Sequence, residues 1–60
     1  MKIYNIIKDR EDKEVVFDYA GSITKFESID DFYIECEEYD LLDEDARYHI
    51  TKKVLYITVK

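Results

Sequence analysis

Sixty residues make a single domain, 1–60, near the lower limit for independent folding; a chain this size buries only about 60% of the surface its unfolded form exposes. Hydrophobic residues make up 47% of it and nine are aromatic, which excludes a disordered acidic tail, and no apolar run approaches the ~18 residues that cross a bilayer. Cys36 is the only cysteine, which excludes an internal disulfide and a disulfide-stapled secreted scaffold.

The first residues, "MKIYNIIKDRED", introduce charge too early for a signal-peptide core, so the expectation is a soluble, cytoplasmic protein with no membrane partner. The net charge of −6 is unevenly spread. Residues 1–25 hold five acids and five bases, residues 26–46 hold ten acids and no base, and residues 47–60 hold four bases and no acid.

Taken in chain order, "KIYNIIK" (2–8) is rich in β-branched and aromatic residues and reads as a strand. "DREDKE" (9–14) is a polar turn, and "VVFDYA" (15–20) is a second strand with Val15, Phe17 and Tyr19 on one face. Gly21 and Ser22 allow a bulge or bend before "ITKFES".

The next stretch satisfies two periods. As a helix, Ser28 would cap it with Asp31 three residues on, and Ile29, Phe32, Tyr33 and Cys36 would form an apolar stripe. That stripe lasts about two turns and then meets Asp40 and Asp43, while Ile34, Leu41 and Leu42 fall away from it. As a strand, Phe32, Ile34 and Cys36 alternate with Tyr33, Glu35, Glu37 and Tyr39, and the alternation is the cleaner pattern. "YDLLDEDA" then becomes an acidic loop. "RYHI" (47–50) and "VLYITVK" (54–60) are strands joined at "TKK". Apolar residues on both sides of the last strand predict a central strand, or one covered by a second subunit as a homodimer through residues 54–59.

The expected fold is therefore all-β, a small antiparallel meander or SH3-like barrel of five to six strands. The alternative is α+β, a ββαββ arrangement with a helix at about 29–39. "YHITKKVLYITV" resembles the strand, tight turn and closing strand that end SH3-like and Sm-like barrels, and "VVFDYAGSITKFESIDDFYIEC" resembles their preceding bent strand and hairpin. The resemblance spans about half the chain and lies in the order of elements, so it assigns no residue a role. It implies a binding module of the kind that often takes nucleic acid or peptides.

Little in the chain points to catalysis. His49 is the only histidine, and Cys36 falls on the apolar face under either period, so no enzyme and no catalytic residue is expected. "DLLDEDA" gathers Asp40, Asp43, Glu44 and Asp45, but without the ligand spacing or the glycine of a calcium loop, and no glycine-rich phosphate loop exists. No metal or cofactor is expected. Direct nucleic-acid binding would rest on Arg47, Lys52, Lys53 and Lys60 against ten nearby carboxylates, and is not expected either.

The acidic segment remains as a surface. It is either a solvated face of a structural or oligomerising domain, or a docking face for a basic surface on another protein. Under the strand reading Glu35 and Glu37 supply directed charge, Tyr33 and Tyr39 supply packing, and Asp30, Asp31, Asp40, Asp43, Glu44 and Asp45 supply steering. Alternate strand residues lie about 6.6–6.8 Å apart, comparable with the spacing of phosphates along a nucleic-acid strand. In size, charge and tyrosine content the chain is similar to small acidic bacteriophage proteins that inhibit host nucleic-acid enzymes or CRISPR nucleases. That similarity implies an inhibitor that mimics nucleic acid.

Overall fold

A computed structural model describes all residues, 1–60. In chain order the elements are helix α1 (Ile3–Ile7), strands β1 (Glu14–Tyr19) and β2 (Ser22–Phe26), helix α2 (Ile29–Glu38), and strands β3 (Arg47–Ile50) and β4 (Val54–Val59). The strands form one mixed sheet in the order β2-β1-β4-β3. The outer pairs are antiparallel hairpins and the central pair, β1 with β4, is parallel. A parallel pair needs a long crossover, which β2, α2, the acidic loop and β3 provide.

This overturns the all-β expectation: the molecule is α+β, the sheet is open, and its edge strands β2 and β3 do not meet to close a barrel. The helix over 29–38 follows the α+β alternative, and α1 is a helix where a strand was expected.

In the first segment spacing overrides composition. Ile3, Ile6 and Ile7 recur at i, i+3 and i+4 and are all buried, whereas Tyr4 and Asn5 face out. A five-residue helix has no stability of its own, so this one exists by burying three isoleucines. Lys2 provides no side-chain cap; instead the Ile3 and Tyr4 N–H groups donate to the Glu44 and Leu42 carbonyls, each at 3.0 Å. Arg10 Nε donates to the Ile6 carbonyl at 2.7 Å, and its guanidinium lies 5.3 Å from the Tyr48 ring centroid.

The turn joining β1 to β2 is Ala20–Gly21, not Gly21–Ser22. Tyr19 pairs directly with Ser22, and Ala20 and Gly21 both have positive φ (52° and 93°), as a tight two-residue hairpin turn requires. Asp18 Oδ1 accepts from the Gly21 N–H at 2.9 Å.

Helix α2 is well delimited. Ser28 Oγ accepts from the Asp31 N–H at 3.1 Å, Asp12 Oδ1 accepts from the Ile29 N–H at 2.9 Å, and Asp30 and Asp31 sit where the helix dipole favours acids. It ends in a left-handed residue, Asp40 (φ 57°), with Leu41 N–H donating to the Cys36 carbonyl at 2.8 Å. Leu41 and Leu42, off the predicted stripe, return to the core beyond this turn. An aspartate is strained there and its charge opposes the helix C-terminus, so Asp40→Gly is expected to raise stability by about 0.5–1 kcal/mol, seen as a higher midpoint in urea. An unchanged or lower midpoint would mean that the side chain contributes something the turn geometry does not explain.

The core lies on one face of the sheet. Val15 and Phe17 of β1 and Leu55, Ile57 and Val59 of β4 are buried against Ile29, Phe32 and Cys36 of α2, the three isoleucines of α1, and Ala46. Phe32 is fully buried, with ring centroids 4.9 Å from Phe17 and 5.2 Å from Phe26. The opposite face carries Val16 and Asp18 of β1, Val54, Tyr56 and Thr58 of β4, Ile23 and Lys25 of β2, and Arg47 and His49 of β3, none of them fully buried. As predicted, β4 is central, with Leu55, Ile57 and Val59 facing one way.

Candidate functional site: the acidic outer face of α2

On a helix, residues three and four apart share a face, while residues two apart point about 160° away from each other. This dismantles the predicted strand face. Glu35 and Glu37 lie on different sides of α2, Tyr33 is half-buried at the margin of the core, and Tyr39 is the exposed C-cap. The row of carboxylates at strand spacing does not exist, and its correspondence with phosphates along a strand falls with it.

The helix creates a different arrangement around Ile34. Predicted to point with Phe32 and Cys36, this side chain points away from them and is 62% exposed. Asp30 and Asp31 precede it by four and three residues, and Glu37 and Glu38 follow it by three and four. Asp31, Glu35 and Glu38 run along one flank and Asp30 and Glu37 along the other, with the isoleucine between. Ile34 and Glu38 were absent from the predicted site. Their signal, an apolar residue with acids at ±3 and ±4, is visible in the sequence only when it is read at the helical period.

None of these five carboxylates has an ion-pair partner; the two ion pairs of the molecule lie in the acidic loop. There Lys2 Nζ is 3.6 Å from Asp43 and the Met1 ammonium 3.4 Å from Asp45, exposed contacts worth little individually. The loop is ordered through its backbone. Besides the Leu42 and Glu44 carbonyls that cap α1, the Ala46 N–H donates to the Met1 carbonyl at 2.8 Å, and Lys2 bridges Asp45. Asp43, Glu44 and Asp45 are thus tied to the N-terminal segment, whereas Asp40 adjoins the α2 face.

Glu37 and Glu38 occupy the last turn of α2, where the helix dipole disfavours negative charge and where no base compensates. The fold does not require them there.

Other chemistry-bearing groups are dispersed. Cys36 is fully buried; burial, then the neighbouring Glu35 charge, push its thiol up to about 12, so it stays protonated at neutral pH. His49 is exposed on the far face of the sheet, its ring centroid 6.1 Å from Tyr56. No three carboxylate, imidazole or thiol groups are disposed to hold a metal ion. A cleft of about 280 Å³ beside the start of α2 includes Lys8, Arg10, Asp12 and Tyr33, but Asp12 and Ser28 already take the helix N-terminal donors. No helix is long and apolar enough to cross a membrane.

No protein-family model, no curated protein and no solved structure matches the chain. The candidate site therefore rests on its own geometry.

Proposed function

We propose that this protein is a non-enzymatic binding module of a reducing, cytoplasmic compartment that docks the outer face of α2 onto a basic surface of another protein. The observation that carries this reading is Ile34, an exposed apolar side chain between two rows of unpaired carboxylates. Interface anchors are apolar side chains that enter a pocket, and surrounding charges set orientation and encounter rate. A partner with an apolar pocket rimmed by Lys and Arg fits this face. Keeping Glu37 and Glu38 at the dipole-opposed end costs about 0.3–1 kcal/mol each, a cost that solubility alone does not require.

The most concrete form is an inhibitor of the phage type, occupying a groove that normally holds nucleic acid. Helical neighbours three and four apart lie about 5–6 Å from each other, so the Asp31, Glu35 and Glu38 flank presents carboxylates at intervals near those of phosphates, while Asp30 and Glu37 on the other flank are two turns apart. The protein itself is not expected to bind nucleic acid.

The test uses a variant carrying Asp30→Asn, Asp31→Asn, Glu37→Gln and Glu38→Gln, and separately Ile34→Ser, all at exposed positions. Captured basic nucleic-acid-handling proteins are expected to bind wild type at low salt and release at high salt. The four-charge variant should bind at least tenfold more weakly, and added duplex DNA should compete for the same partner. Equal capture by wild type and the four-charge variant would reduce the acidic face to a solvated surface.

A further inference from the structure

We infer that the uncovered face of the sheet is a self-association surface, occupied by the same face of a second copy of this chain. Across the four strands one row reads Lys25, Val16, Tyr56, His49 and the next reads Ile23, Asp18, Thr58, Arg47. Val16 and Val54 are half-buried, Tyr56 is 41% exposed and Ile23 is 64% exposed, with neither helix nor loop packed over them. Between β1, β2 and β4 lies a hollow of about 680 Å³ with room for a side chain of a facing copy; its floor is Val16, Val54 and Tyr56, and Glu14, Lys25 and Glu27 also line it.

Charge selects the occupant. Lys25 and Arg47 face Glu14 and Asp18 here, with Glu27 beside the hollow, while the other nine carboxylates of residues 26–46 belong to α2 and the loop that follows it. For a chain of net charge −6, this is the face on which two copies meet with least repulsion. Bearing both bases and acids, it is also self-complementary. In a two-fold contact, Lys25 and Arg47 of each copy can meet acids of the other.

Both edges of β4 are hydrogen-bonded, to β1 and to β3, so residues 54–59 take part through Val54, Tyr56 and Thr58 rather than by strand addition. Strands about 4.8 Å apart and from about 13 Å (β3) to about 20 Å (β1 and β4) long present roughly 340 Å² of face per copy. Two such faces fall below the roughly 1,000 Å² that a stable interface buries, so the dimer is weak and concentration-dependent.

Sedimentation equilibrium from about 20 µM to 2 mM, with amide spectra over the same range, tests this. A dimer should appear toward the upper concentrations, with shifts at Val16, Lys25 and Tyr56 and none along α2. Tyr56→Glu and Ile23→Glu, at exposed positions, should each raise the dissociation constant at least tenfold while the circular dichroism stays unchanged. The four-charge variant of α2 should not weaken the dimer, and Tyr56→Glu should leave docking through α2 unchanged, so failure of one reading leaves the other distinguishable. A monomer throughout, a dimer indifferent to both substitutions, or a single-stranded oligonucleotide binding this face in place of the second copy would each overturn the inference.

Discussion

Phe32→Ala is expected to remove about 3–5 kcal/mol of stability, the usual cost of deleting a buried phenylalanine. A domain of this length holds only about 3–9 kcal/mol in total, so the variant should lose at least about a third of its stability. The size of the effect follows from position. Phe32 is fully buried beneath α2 and meets Phe17 of β1 and Phe26 of β2, so its loss opens a cavity where the helix is seated on the sheet. Phe32→Leu retains most of the volume and should cost less than about 1.5 kcal/mol. Urea unfolding followed by far-ultraviolet circular dichroism separates the two. Similar midpoints for both variants would show that α2 is not held through this contact.

The second large effect concerns pH. Burial, then the neighbouring Glu35 charge, push the folded Cys36 thiol from its ordinary value of 9.0 up to about 12. A folded pKa raised above the unfolded one means that the stabilisation is fully present below pH 9 and is lost as pH rises toward 12, because the unfolded state releases the proton first. Over that window the stability attributable to Cys36 should fall by up to about 1.4 kcal/mol per pH unit. Denaturant melts at pH 8, 10 and 11 check it, with Cys36→Ala as the control for tyrosine and lysine titrations. The alanine variant starts lower because it loses packing, but its alkaline decline should be shallower. Parallel declines would show that the thiol is not the group responsible. The same burial should slow alkylation of Cys36 in native protein by the folded-to-unfolded ratio, which gives an independent reading of stability.

Where the sequence misled, it did so for identifiable reasons. "KIYNIIK" is a strand by composition and a helix by spacing, and the spacing decided because burying Ile3, Ile6 and Ile7 together is worth more than the β preference of the same residues. In residues 29–39 the failure of the apolar stripe after two turns counted against a helix. It was the helix's end: α2 has ten residues, and Asp40 turns the chain so that Leu41 and Leu42 enter the core from a different direction. The strand alternation depended on Ile34 facing inward, and that one residue is what the fold leaves outside.

The sequence by itself determined the segregation of charge, the two C-terminal strands, the inward Leu55, Ile57 and Val59 of the last one, and a lone cysteine destined for the core; the Ser28 cap with its stripe of Ile29, Phe32, Tyr33 and Cys36 was legible only as the alternative to a strand. These are local properties, set by residue type and by spacing within a few positions. Only the tertiary structure decided that residues 3–7 wind into a helix, because their orphan donors are met by carbonyls some forty residues away in the acidic loop. It also decided which carboxylates stand free around Ile34, and which face of a four-stranded sheet stays uncovered. Those outcomes depend on pairing β1 with β4 across the whole chain, and no local period encodes a long-range contact.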